Sequence, residues 1–136
     1  MKNVLTILAA NFDSEEQLKE FVEIIYNEDG DARPSGIMTS IGTTRLDYDF
    51  VETHFFNDVE SRQSFWDYLC YEYCSNESFS KQIPPTLNEC INQFNSIILL
   101  YGNDSLYGSV NKFLFQIGGL VNPIGSSAVF LSCITY

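Results

Sequence analysis

The chain has 136 residues, 45% hydrophobic and 15% aromatic, with a formal net charge of −11. That length and apolar content suit a single globular domain over residues 1–136 and exclude a disordered composition. The charge argues against nucleic acid as a partner, because phosphates demand Lys and Arg.

Val4–Ala10 (VLTILAA) is a continuous apolar run, too short to cross a membrane, and reads as a buried strand. The segment 12–26 (FDSEEQLKEFVEIIY) follows, with Leu18, Phe21, Val22, Ile25 and Tyr26 forming a helical stripe. Asp13 or Ser14 can cap its start, and Ser14 with Gln17 has capping-box spacing. Glu15, Glu16 and Glu20 complement the helix dipole, and Glu15 can pair with Lys19 one turn on. Asn27–Gly36 (NEDGDARPSG) is loop material, and its acids Glu28, Asp29 and Asp31 have no helix of that loop to cap. The segment lacks the alternating oxygen ligands and final Glu of an EF-hand. Ile37–Gly42 (IMTSIG) reads as a short strand.

The stretch from Asp47 to Asp58 (DYDFVETHFFND) holds the chain's only histidine, four carboxylates and four aromatic rings. In a regular strand Asp47 and Asp49 share a face with Val51, Thr53 and Phe55, whereas Glu52 and His54 lie on the other. A single acidic surface built from all of them requires a bulge or bend near Phe50. A bulge at Phe50–Val51 would put Tyr48, Phe50, Thr53 and Phe55 inward; a helix over 49–56 is the alternative.

Residues 61–75 (SRQSFWDYLCYEYCS) place Phe65, Trp66, Leu69, Cys70 and Tyr73 on one helical face, with Tyr68 and Tyr71 elsewhere. Tyrosine and tryptophan are enriched where proteins bind proteins. Pro84 and Pro85 suit the first turn of a further helix, with Leu87, Cys90, Ile91 and Phe94 as its stripe. Ser96–Tyr101 (SIILLY) reads as a central strand. Lys112–Ile117 (KFLFQI) and Ala128–Tyr136 (AVFLSCITY) read as two more, joined across glycines 118–119 and the NPIG turn at 122–125. The order predicts an α+β fold: a single mixed β-sheet with about three helices packed on it.

The motifs give little support to catalysis. A Ser–His–acid site would have to use His54, and there is no Gly-x-Ser-x-Gly elbow. GNDSLYGS, at 102–109, lacks the lysine of a phosphate loop. Cys70 and Cys74 are one helical turn apart with no histidine at zinc-ligand spacing; with Cys90 and Cys133 they read as thiols of a reducing compartment. The expectation is no enzyme, no cofactor and no metal.

All but two of the 18 acids (Glu89 and Asp104), and all but Lys81 and Lys112 of the seven Lys and Arg, fall in residues 1–77. The N-terminal part therefore carries the whole negative excess. Such a field draws in a basic protein and speeds its encounter. The plainer alternative is a surface kept soluble by its charge.

Several blocks taken together carry a resemblance: the first strand followed by NFDSEEQLKEFV, the EDGDARPS loop, DYDFVETHFF, and NSIILLY. In this order, over residues 3 to about 101, the chain resembles immunity protein family 22 of bacterial polymorphic toxin systems. It departs from the family's pattern at Ala9–Ala10, which replace an aromatic residue and a glycine before the Asn-Phe pair. The resemblance implies a small cytoplasmic protein that binds a cognate toxin domain and blocks it without catalysis. The charge map points to a basic toxin, such as a nuclease. Expected partner-binding residues are Glu28, Asp29, Asp31, Asp47, Tyr48, Asp49, Glu52, Asp58, Glu60 and Tyr71. No membrane partner is expected, and oligomeric state is not legible. The alternative is a small-molecule-binding or regulatory domain with an apolar pocket between sheet and helices.

Overall fold

A computed structural model describes residues 1–23, 25–26, 28–30, 32–33, 35–41, 46–73, 92–116 and 128–136. Strand β1 (Asn3–Ala10) is buried from Val4 onward because it lies between two neighbours and under two layers. Its odd residues Leu5, Ile7 and Ala9 join one core cluster, and its even residues Val4 and Leu8 join another on the opposite face. A strand covered on both faces needs no polar alternation, which is why this run is continuously apolar.

Helix α1 (Glu15–Val22) begins as its sequence predicts. Ser14 Oγ accepts from the Gln17 backbone N–H at 3.2 Å, and Gln17 Oε1 accepts from the Asp13 N–H at 3.0 Å. The Lys19–Glu15 pair is present at 3.6 Å. Its end comes sooner than the apolar stripe suggests. Glu23 is extended, and Ile25–Tyr26 form strand β2, paired antiparallel with β3 (Ala32–Arg33). The Asp-Gly turn accounts for the change, since Gly30 sits at φ +84° and favours a hairpin over another helical turn. The loop expected over 27–36 therefore contains a short strand.

Helix α2 (Gly36–Ile41) replaces the short strand expected over Ile37–Gly42. Ser35 caps it, its Oγ accepting from the Met38 N–H at 3.3 Å. Ile37, Met38 and Ile41 are buried, which is helical spacing. Gly36 lets the helix approach α1: a Cβ there would stand 2.6 Å from Phe21 Cδ2.

A 3₁₀ turn at Tyr48–Phe50 leads into strand β4 (Val51–Phe55). The bend expected near Phe50 exists, but as a helical turn rather than a bulge, and Phe50 faces solvent instead of the core. Helix α3 (Val59–Tyr73) lies on the face of Leu5 and Ile7, burying Trp66 and Leu69 with Phe65 and Cys70 beside them. The expected helix from Pro84 lies outside the described residues, as do Cys74, Cys90, the 118–119 glycines and the 122–125 turn.

Strand β5 (Ser96–Asn103) and strand β6 (Ala128–Thr135) flank β1, giving the order β4-β5-β1-β6. Every pairing is antiparallel, so the α+β fold is built on one four-stranded antiparallel sheet. Between Ile7 and Leu8 the β6 partner jumps from Ser132 to Phe130, a bulge that turns both Leu131 and Ile134 toward the α3 side.

Lys112–Gln116 is a 3₁₀ helix, not the strand expected. Leu114 is fully buried, and Phe113 and Phe115 pack beside it against the α1–α2 side of the sheet. With apolar surface on three successive residues there is no polar face to specify a strand. The hairpin expected with β6 does not form, because β6 pairs with β1 instead.

Candidate functional site

The acids of the central stretch occupy β4, an outer strand of the described sheet, and the turns at its two ends. At the first end Asp47 caps the 3₁₀ turn, its Oδ1 accepting from the Asp49 N–H at 3.1 Å. Asn111, from the segment that follows β5 and pairs along its β4 side, brackets the same residue. Its Oδ1 accepts from the Asp47 N–H at 2.7 Å, and its Nδ2 donates to the carbonyls of Asp47 at 3.3 Å and Tyr101 at 3.0 Å. Asn111 achieves this from φ 44°, a left-handed conformation that asparagine tolerates better than most residues. The bracket aims Asp47 and Asp49 outward from the end of the sheet.

Tyr48, between these acids, is half-buried. Its hydroxyl lies 2.7 Å from Ser35 Oγ, to which it donates, and 3.1 Å from Met38 Sδ. The ring therefore ties the turn to α2. Within β4, Glu52 and His54 share the α3 face. Their side chains approach to 3.4 Å, and the His54 ring rests on Phe65 at 4.3 Å between centroids. His54 thus sits between an exposed carboxylate and an aromatic wall. Among the described residues, no group of three or more His, Cys, Asp or Glu is placed to hold a metal ion.

At the other end of β4, Asp58 precedes α3 and accepts from the Ser61 N–H at 2.6 Å. That backbone hydrogen bond, followed by the Ser61 hydroxyl and, more weakly, the charge of Arg62, holds its carboxyl below the usual carboxylate value. Glu60 lies exposed in the first turn of α3. Farther along, Glu60, Ser64, Asp67, Tyr68 and Tyr71 follow helical spacing and form one exposed stripe. Tyr71 is 79% exposed.

The structure therefore arranges the expected site residues as a strip rather than a compact patch. Asp47 and Asp49 stand at one end of a five-residue strand about 13 Å long, with Asp58 and Glu60 at the other and Glu52 between. Glu28 and Asp29 are exposed at the tip of the β2–β3 hairpin, away from that strand in sequence and in sheet. Asp31 lies outside the described residues. Asn111 was not legible as a site residue; its one local signal is an asparagine opening an apolar segment. Leu106 and Tyr107, within the segment read only for its missing lysine, emerge as the most exposed large apolar side chains described, 94% and 99%.

Fold and site together define an α+β arrangement with a four-stranded antiparallel sheet, whose outer strand β4 carries Glu52 and leads into helix α3 with Glu60, Asp67, Tyr68 and Tyr71 exposed. The chain belongs to the immunity protein 22 family, whose sequence profile matches residues 5–116. The match runs past β5 and takes in the 3₁₀ helix at 112–116, so the Asn111 bracket lies within it. No curated protein and no solved structure matches the chain. Membership of an immunity family implies a toxin-inhibiting role exercised by binding a cognate toxin. Among the described residues no helix is long and apolar enough to cross a membrane.

Proposed function

We propose that this protein acts in the cytoplasm and neutralises its toxin by occlusion, without catalysis, pressing the acidic strip against a basic surface of the toxin domain. One observation supports this reading above the rest: Asp49, Glu52 and Glu60 are solvent-exposed and unpaired with Lys or Arg among the described residues. Surface acids left unneutralised along one strand and the helix after it create a directional field, which raises encounter rates with a basic partner. A toxin that acts on nucleic acid must be basic where it meets phosphate, so a nuclease is the simplest match.

The acids differ in role. Asp49, Glu52 and Glu60 steer and pair. Asp47 and Asp58 also hold their turns, so each contributes one carboxylate oxygen to the partner while the other receives a backbone N–H. Tyr71 supplies an aromatic contact on the α3 stripe, whereas Tyr48 serves by fixing the turn on α2. Glu28 and Asp29 form a second acidic point on the hairpin, and Asp31, close by in sequence, is proposed to act with them. The test is association kinetics of Asp47→Asn, Asp49→Asn and Glu52→Gln combined, measured with an inactivated toxin domain from the adjacent gene. Association is expected to slow by about tenfold at low salt and to lose much of its salt dependence. Unchanged kinetics would remove the strip from the interface.

A further inference from the structure

The turn between β5 and the 3₁₀ helix at 112–116 is built to hold two apolar side chains out in water. It is closed at its base by an antiparallel bridge, the Asn103 N–H donating to the Val110 carbonyl at 2.8 Å. Asp104 clamps it to the start of β1. Its N–H donates to the Lys2 carbonyl at 3.1 Å, and its Oδ1 accepts from the Lys2 N–H at 2.6 Å. The Ser105 N–H donates to Asn103 Oδ1 at 3.2 Å, and the Tyr107 N–H donates to Ser105 Oγ at 3.3 Å. Gly108, at φ +125°, returns the chain with a backbone conformation that a side chain would strain. These bonds are made by backbone and by small polar side chains. None uses the side chains of Leu106 or Tyr107.

A loop this well satisfied could have been tipped with polar residues at no cost to its geometry. A leucine at 94% exposure next to a tyrosine at 99% is instead a standing apolar liability on an otherwise acidic protein. The loop also leaves the sheet at the end where Asn111 anchors the Asp47–Asp49 turn through the Tyr101 carbonyl. The apolar tip and the acid pair are therefore carried by one hydrogen-bonded end of the domain. Pre-ordering of the backbone lowers the entropic cost of docking the tip.

We propose that Leu106 and Tyr107 form a prong that inserts into an apolar recess of the toxin domain, beside the basic surface met by Asp47 and Asp49. Two side chains at the end of a narrow loop cannot cover a flat face, so the receiving surface is concave. This assignment rests on the toxin-inhibiting reading and adds to it the element that holds the complex together once the acids have steered it in.

The two contributions separate kinetically. Long-range charge acts mainly on association, and desolvated apolar anchors act mainly on dissociation. The test measures binding of the inactivated toxin domain from the adjacent gene to the full chain and to the double variant Leu106→Ser, Tyr107→Ser. Urea denaturation of both proteins checks that the fold is kept. The variant is expected to dissociate at least tenfold faster, with association changed by less than about threefold and an effect that persists at high salt. Equal dissociation rates would overturn the prong while leaving the inhibitory reading intact. Failure of the wild-type chain to bind any such toxin domain overturns both. Sedimentation of the wild-type chain alone as a dimer that the variant abolishes also overturns the proposal, because the prong's occupant is then a second copy.

Discussion

Replacing Asn111 with alanine should loosen the sheet end that carries Asp47 and Asp49. The side chain makes three hydrogen bonds, at 2.7, 3.0 and 3.3 Å, to an amide and two carbonyls across 10 and 64 residues of sequence. The residue is buried, so water cannot fully substitute for the lost partner. At about 0.5–1.5 kcal/mol for each net bond, the loss is about 1.5–4.5 kcal/mol. Alanine also fits φ 44° less well than asparagine, which adds about 1 kcal/mol. A central value of about 4 kcal/mol is a large share of the roughly 5–15 kcal/mol that holds a domain folded. The assay is urea denaturation followed through Trp66, the single tryptophan, which is buried in the α3-side core. Asn111→Asp separates the causes. It keeps the acceptor for the Asp47 N–H and tolerates the positive φ, but sets a second carboxylate oxygen against two carbonyls. At neutral pH it is expected to lose at least as much stability as alanine. If both variants unfold within about 0.5 kcal/mol of wild type, the bracket does not organise this end of the sheet and the reasoning fails.

Other substitutions probe the same physics elsewhere. A Cβ on Gly102 would stand 2.8 Å from the carbonyl oxygens of both Val110 and Asn111, which are backbone and cannot swing away; Gly102→Ala should lower stability by about 2–4 kcal/mol, seen as an earlier thermal midpoint. Ser14→Ala removes the cap of α1 and should cost about 1 kcal/mol in urea titration, with Ser14→Asp restoring most of it. For Asp58 the sign follows from a folded-state pKa below the ordinary 3.8: its stabilisation is fully present above that value and is lost as pH falls through the lower folded value. Asp58→Asn keeps a capping oxygen but cannot titrate. Its stability should therefore fall less steeply than that of wild type below about pH 4, and parallel acid limbs in the two proteins' urea midpoints would contradict the assignment.

Elements whose cause is local or repeated can be read from the residues alone. Val4–Ala10 and Ser96–Tyr101 are apolar on every residue but Thr6 and Ser96, and a strand covered on both faces accommodates that over so short a length. Ser14 and Gln17 set the start of α1 within four residues, and the Trp66–Leu69 face follows from helical spacing alone. Two of the blocks that carry the family resemblance, the first strand with NFDSEEQLKEFV and NSIILLY, coincide with these elements. Tertiary structure decided the short apolar segments at 37–41 and 112–116. In such runs helix and strand periodicities agree with nearly the same residues, so the choice falls to packing: Gly36 against Phe21, and Leu114 beneath the sheet. It also decided which parts of the candidate site belong together. The acids of Asp47–Asp58 are continuous in sequence, yet a strand about 13 Å long parts them into two ends. The residue that aims the first pair lies 64 positions away from Asp47, and the exposed Leu106–Tyr107 tip joins that end through hydrogen bonds between strands. No local pattern encodes such a junction, because it is made where chain segments distant in sequence meet.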